Sequence, residues 1–199
     1  MQCYFFLFSC YLGVVETTYF SSRDIAAISI CAALWGVLNP IFSPFFFRAT
    51  GLPFLCDLIG FTVLTLGIWW VRKFGAIIVI GLVATVINLA INPTGAHFLG
   101  FTAASFVFDI LTRIIGYNNI FKNSTLIILT LLSVSIISAA AAGYLIATFF
   151  MAGSVLANWG GAIVWVGLHA IGGIIGGSIG VSLVIALSSR IILEKNKRH

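Results

Sequence analysis

The sequence predicts an all-α integral membrane protein, a bundle of about six transmembrane helices with both termini cytoplasmic, and three observations carry that reading. Of 199 residues, 61% are hydrophobic and only 8% charged, whereas a soluble domain is about one-quarter charged. The apolar residues fall in six long runs, each near the roughly 20 residues that cross a hydrocarbon core. When those runs are threaded alternately through a bilayer, all but one of the 10 basic residues fall on the same side, as cytoplasmic loops require.

The first run covers residues 25–46, and Pro40 and Pro44 are expected to kink or end it, because proline lacks the N–H and crowds the preceding turn. The second covers 52–71 and the third 74–91, which closes at Asn92-Pro93-Thr94-Gly95, a compact turn. The fourth spans 98–117. Asn118-Asn119 and Asn123-Ser124 flank the connection into the fifth, 125–151, and Asn158 precedes the sixth, 160–193, long enough to tilt or project. The runs are apolar on all sides rather than alternating, so they read as helices and not as barrel strands. Arg23, Arg72, Lys73, Arg113, Lys122, Arg190, Lys195, Lys197 and Arg198 then face the cytoplasm, and Arg48 alone lies opposite. Trp69 and Trp70 stand beside Arg72-Lys73 as an interfacial anchor.

Two regions follow. Residues 24–199 form a six-helix substrate-binding domain, preceded by an apolar segment, 1–23. Its first 15 residues are short for a span and lack the basic start of a signal peptide. An interfacial segment or an upstream mis-start fits them better than a short seventh helix.

Several functions are excluded. The net charge of +5 is placed to suit a membrane and does not argue for nucleic acid. Cys3, Cys10, Cys31 and Cys56 form no CxxC pair and sit in apolar runs, as buried free thiols do. No GxxxxGK[ST] loop, HExxH, Ser–His–Asp arrangement or metal-spaced His/Cys/Glu cluster is present. The chain therefore reads as a receptor for something small, not an enzyme, with no metal and no cofactor of its own.

Polar groups within the spans are expensive and are functional candidates by default. Asp57, Asp109 and His169 are the ionisable ones, and Asn88, His97, Trp35 and Trp165 complete the candidate substrate site. Asn39, Asn92 and Trp159 cluster nearby at outer helix ends. All lie in the outer half or near the midplane, which points to an outward cavity lined by aromatic and a few hydrogen-bonding groups. Structural roles compete: Asp109 and Arg113, four apart, can pair, Asp57 can sit at a helix N-terminus, and His169 can bond a neighbouring helix. The overlapping GxxxG pairs of 172–180 let a backbone approach closely, as packing within the bundle requires. Ser29 and Ala33 form a small-xxx-small pair on the first helix, suited to an outside partner.

Arg72-Lys73-Phe74-Gly75-Ala76, an apolar helix, and then Asn92-Pro93-Thr94-Gly95 resemble the substrate-binding S components of energy-coupling factor (ECF) vitamin transporters, most closely the thiamine/hydroxymethylpyrimidine family. That resemblance implies a membrane-embedded vitamin receptor whose outward site is formed by the first connection and helices four to six. It implies a partner transmembrane subunit, met through Ser29 and Ala33, and two ATPase subunits that use the ATP. For such a ligand Trp165 or Trp35 would stack on the ring, Asp109 or Asp57 would accept from an exocyclic amine, and His169 or His97 would meet a ring nitrogen. The competing reading is a small autonomous secondary transporter or membrane enzyme using Asp109 and His169.

The charge asymmetry has a direct test. Cysteines introduced as Lys73→Cys and Lys197→Cys are expected to resist membrane-impermeant thiol reagents in intact cells and to react after permeabilisation. Labelling of Lys73→Cys from outside would overturn the helix count or its direction.

Overall fold

The first helix, α1 (Ser22–Thr50), starts at a capping box: the Ser21 hydroxyl accepts from the Asp24 N–H while the Asp24 carboxylate accepts from the Ser21 N–H. The computed structural model describes residues 18–52 and 54–197, and the apolar segment 1–15 lies outside the described residues. The other helices are α2 (Phe54–Val71), α3 (Ala76–Ile91), α4 (Phe98–Ile115), the single turn α5 (Tyr117–Ile120), α6 (Ser124–Leu145), α7 (Gly153–Asn158) and α8 (Ala162–Lys197). A π-helical turn, Ile146–Phe150, continues α6. Among the described residues the chain is all-helical, and five helices are long and apolar enough to cross a membrane: α1, α2, α4, α6 with its π turn, and α8. The sixth, α3, has 16 residues.

The six long helices close into a ring. α1 packs on α2, α2 on α8, α8 on α6, α6 on α4, α4 on α3, and α3 returns to α1. Phe61 of α2 and Phe108 of α4 meet across the middle with ring centroids 6.5 Å apart. Large apolar side chains such as Ile30, Leu34, Phe106, Ile110, Leu129 and Ile179 point outward and stay exposed, as they would against lipid.

One end of the ring gathers around the 72–75 turn. Lys73 bonds Asp24 at 2.7 Å and the Tyr19 carbonyl at 2.9 Å. The Arg72 guanidinium lies 4.3 Å from the Phe121 ring centroid, and Trp69 donates to Ser188 at 3.0 Å. Gly75 stands at the N-cap of α3 with φ +88°, so no side chain is there to satisfy the first N–H groups. Asp109, from α4, supplies the missing cap: its Oδ2 accepts from the Gly75 N–H at 2.8 Å and the Ile78 N–H at 3.2 Å. The pairing of Asp109 with Arg113 allowed by their spacing does not form; Arg113 instead lies over Phe74, 6.0 Å from its ring centroid.

Pro40 and Pro44 neither end nor replace the first helix, which runs through both to Thr50 and closes on Gly51 in the left-handed region, φ +72°. Pro40 has no N–H for the carbonyl of Gly36, four residues back. The Asn88 side-chain amide donates to that carbonyl at 3.4 Å and to the Ala84 carbonyl at 2.8 Å, while its oxygen accepts from Asn39 at 2.9 Å. Ser43 completes the chain by donating to Asn39 Oδ1 at 2.6 Å. Asn39 and Asn88 are fully buried, and together they bind α1 to α3.

Gly172, Gly173, Gly176, Gly177 and Gly180 of α8 lie buried on two adjoining faces. A Cβ on Gly172, Gly176 or Gly180 would strike α2 at Asp57, Leu58 or Thr65, and one on Gly173 or Gly177 would strike α6 at Ala139 or Ser135. The GxxxG pattern is packing within the bundle. Ser29 and Ala33 are exposed on the outer side of α1.

The Asp109 cap is expected to stabilise the fold as other N-caps do, by about 0.5–2 kcal/mol. Asp109→Ala should therefore lower the thermal unfolding midpoint in detergent, and Asp109→Asn, which keeps an acceptor oxygen, should lower it less. Identical losses for the two would mean that the hydrogen bonds to α3 are not what the side chain contributes.

Candidate functional site

At the end of the ring opposite the 72–75 turn, the described residues enclose a cavity of about 350 Å³, within the range of small-molecule sites. Its walls come from several elements. The far end of α1 supplies Ser43, Pro44 and Phe47, and the first connection supplies Leu52. Cys56, Asp57 and Phe61 come from α2, and Asn92 and His97 from the connection before α4. Phe98, Phe101 and Ala104 line it from α4, Ile146 and Phe150 from the π turn, and Trp165 and His169 from α8.

Two helices, α2 and α8, place the buried polar groups. Asp57 falls in the first turn of α2, where the exposed helix N–H groups favour a carboxylate. Trp165 and His169 are four apart on α8 and so share one face, their rings 5.3 Å apart and edge-on at 66°. His169 Nδ1 lies 2.9 Å from Asp57 Oδ2 and 3.1 Å from Oδ1. Both residues are 4% exposed and Trp165 is 6% exposed. The pair is held from two sides by glycine. A Cβ on Gly172 of α8 would come within 2.5 Å of Asp57 Oδ2, and one on Gly143 of α6 within 2.9 Å of His169 Cβ. His169 Nε2 and Trp165 Nε1 are buried without a partner, and buried polar atoms are nearly always paired.

An aromatic arch covers this group. Trp159 lies 5.3 Å from Trp165 at 68°, and Phe47 of α1 lies 5.8 Å from Trp159. His97 stands at the mouth against Phe98, with ring centroids 4.4 Å apart. Partial withdrawal of its ring from water holds its pKa below the ordinary histidine value. His97 is therefore neutral at pH 7, and no lysine or arginine lines the cavity among the described residues.

Of the seven residues that the sequence offers as a substrate site, the fold brings Asp57, His97, Trp165 and His169 to this cavity. Trp35, Asn88 and Asp109 are not on its wall. Trp35 is fully buried behind it, stacked on Phe101 at 3.7 Å and 11°. Asn88 is taken up by the α1–α3 network, and Asp109 by the N-terminus of α3 at the other end of the ring. Ser43, Cys56, Phe98 and Phe101 also line the cavity and are not among those seven. The three-residue spacing of Phe98 and Phe101 marks one face of α4, a signal that was legible. Ser43 and Cys56 carry no such pattern. No group of three or more metal-ligating side chains gathers among the described residues.

Neither family models, curated proteins nor solved structures yield a match to this chain.

The glycine clamp makes a sharp comparison possible within one helix. Gly172→Ala forces a methyl group onto Asp57, and overpacking of this kind typically destabilises by about 1–3 kcal/mol. Gly167, on the same helix, has nothing within 4 Å of an added Cβ, so Gly167→Ala should stay within about 0.5 kcal/mol of wild type. Equal unfolding midpoints for the two variants would show that α8 does not press on Asp57 as described.

Proposed function

We propose that this chain is the membrane-embedded substrate-binding subunit of an ECF-type importer in the cell membrane, capturing a small vitamin or precursor, thiamine or hydroxymethylpyrimidine before others. The observation that supports it is an aromatic cavity with three buried polar groups, in an apolar helical chain that has no nucleotide-binding loop. Six crossings put both chain ends and the 72–75 turn in the cytoplasm by the distribution of Lys and Arg, and the cavity then faces outside. Energy comes from a partner transmembrane subunit and two ATPases. Ser29 and Ala33, exposed on α1, are the positions where that partner would approach closely.

The cavity suits such a ligand in three respects. Its walls are mostly aromatic and aliphatic, fit for a flat ring. A cationic centre over Trp165 would gain about 0.5–2 kcal/mol from the ring face. Asp57 supplies negative charge, and no cation lines the wall to oppose it. The competing reading, an autonomous transporter or enzyme using Asp109 and His169, has less to work from: the two residues sit at opposite ends of the ring and share no site.

Mass spectrometry of small molecules that co-purify with the chain in detergent, followed by calorimetric titration of thiamine and hydroxymethylpyrimidine, tests the proposal. Binding without ATP hydrolysis is expected. No heat with either compound removes the substrate assignment, and steady ATP hydrolysis by the isolated chain removes the subunit reading.

A further inference from the structure

The polar groups of the cavity have a fixed hydrogen-bond sense, and Asp57 is what fixes it. An imidazole offers either nitrogen as donor, and its tautomer is set by what the other nitrogen meets. Here Nδ1 meets a carboxylate at 2.9–3.1 Å, which is acceptor-only when ionised. With one proton between the two side chains, that proton sits on Nδ1 and donates to Asp57, and Nε2 is left with its lone pair. Gly172 leaves Asp57 against the backbone of α8, and Gly143 leaves the His169 ring against the backbone of α6. One helical turn away, Trp165 Nε1–H is a donor and can be nothing else. Both ring nitrogens are buried and unpartnered. Around them, the other titratable groups on the cavity wall are Cys56 on α2 and His97 before α4.

From this arrangement we infer that Asp57 is a positioning residue that makes His169 Nε2 the hydrogen-bond acceptor of the cavity, beside the Trp165 donor. The site then selects flat nitrogen heterocycles whose edge carries an N–H donor next to a lone-pair acceptor. The one-proton pair has a net charge of −1, with no lysine or arginine on the wall to balance an anion, so neutral and cationic heterocycles enter and carboxylated or phosphorylated ones do not. This selectivity rests on the binding-subunit reading and narrows it to a class of ligand edge.

The test uses the full chain in detergent and three probes: 4-amino-2-methylpyrimidine, its 4-dimethylamino analogue, which has no N–H, and 2-methylpyrimidine-4-carboxylate. By calorimetry, wild type is expected to bind the amino probe at least about tenfold more tightly than the dimethylamino probe, the effect of leaving a buried acceptor unpaired, and to show no heat with the carboxylate. Trp165→Phe should weaken both neutral probes alike. Asp57→Asn, whose amide can face Nδ1 with either its N–H or its oxygen, should bring the ratio of the two toward one. A nitrogen-15 spectrum of histidine-labelled wild type, assigned by its difference from His169→Gln, should show Nε2 unprotonated, and it reads the tautomer whether or not the Asp57 variant folds. A protonated Nε2, equal binding of the two neutral probes, or an unchanged ratio in Asp57→Asn overturns the inference and leaves the binding-subunit reading standing. Absence of heat with every probe overturns it as well, and the broader reading is then decided by the co-purification experiment alone.

Discussion

The close approach of α8 to α2 and α6 is the contact on which the rest of the architecture depends. Helices as apolar as these gain little from burying one another's leucines if lipid is the alternative. What draws them together is contact between backbones, and that needs residues without side chains on the facing surfaces. α8 carries two such surfaces, one of Gly172, Gly176 and Gly180 toward α2 and one of Gly173 and Gly177 toward α6. It therefore wedges between both neighbours at once. Asp57 and His169 meet only because of that wedge: the carboxylate occupies the space where a side chain at position 172 would stand.

A second constraint acts at the helix ends. A backbone N–H or carbonyl away from water must find a partner inside the protein. Two breaks in the helical ladder are mended by side chains from neighbouring helices. Asp109 takes the first N–H groups of α3, where Gly75 offers nothing. Asn88 takes the Gly36 carbonyl that Pro40 leaves open. Both repairs cross between helices, so each also serves as tertiary glue, joining α3 to α4 and α1 to α3.

These two repairs mark the boundary of what the sequence could show. Apolar runs, the Asn92–Gly95 turn and the Asn123 cap, which accepts from the Leu126 N–H at 2.9 Å, are local features, and they placed five long apolar helices and one shorter one close to where they are found. Helix boundaries moved where a rule about one residue met a partner from elsewhere: Pro40 and Pro44 read as a kink or an end of the first helix, which runs through both to Thr50 with Asn88 alongside on the Gly36 carbonyl. The π turn and the short α7 have no strong local signature: the first continues the apolar run of α6, and the second follows it in the connection to α8. Asp109 looked like a ligand-binding acid because it is an acid in an apolar run. Only the fold reveals that the N-terminus of another helix, 34 positions back in sequence, needs it. Asp57 and His169 were each legible as candidates, but their pairing spans 112 positions and no spacing rule reaches that far.

The buried polar atoms left without partners divide in an informative way. Thr65 and Ser138 hydroxyls are among them, yet a hydroxyl can rotate toward the carbonyl four residues back in its own helix, as Ser135 and Thr112 do at 2.8 Å and 2.9 Å. The nitrogens of aromatic rings have no such freedom, because the ring plane fixes where the N–H or lone pair points. Trp35 Nε1 is packed against Gly60 of α2, where an added Cβ would lie 3.0 Å from it, and has no space before it. Trp165 and His169 differ in that they line an open volume. A rigid buried donor or acceptor left unmade costs about 1–3 kcal/mol, so the fold carries that deficit at two neighbouring atoms on a single turn of α8. On the proposed binding-subunit reading, a ligand with the opposite pattern relieves that deficit, and the free energy withheld from folding at this place becomes its affinity.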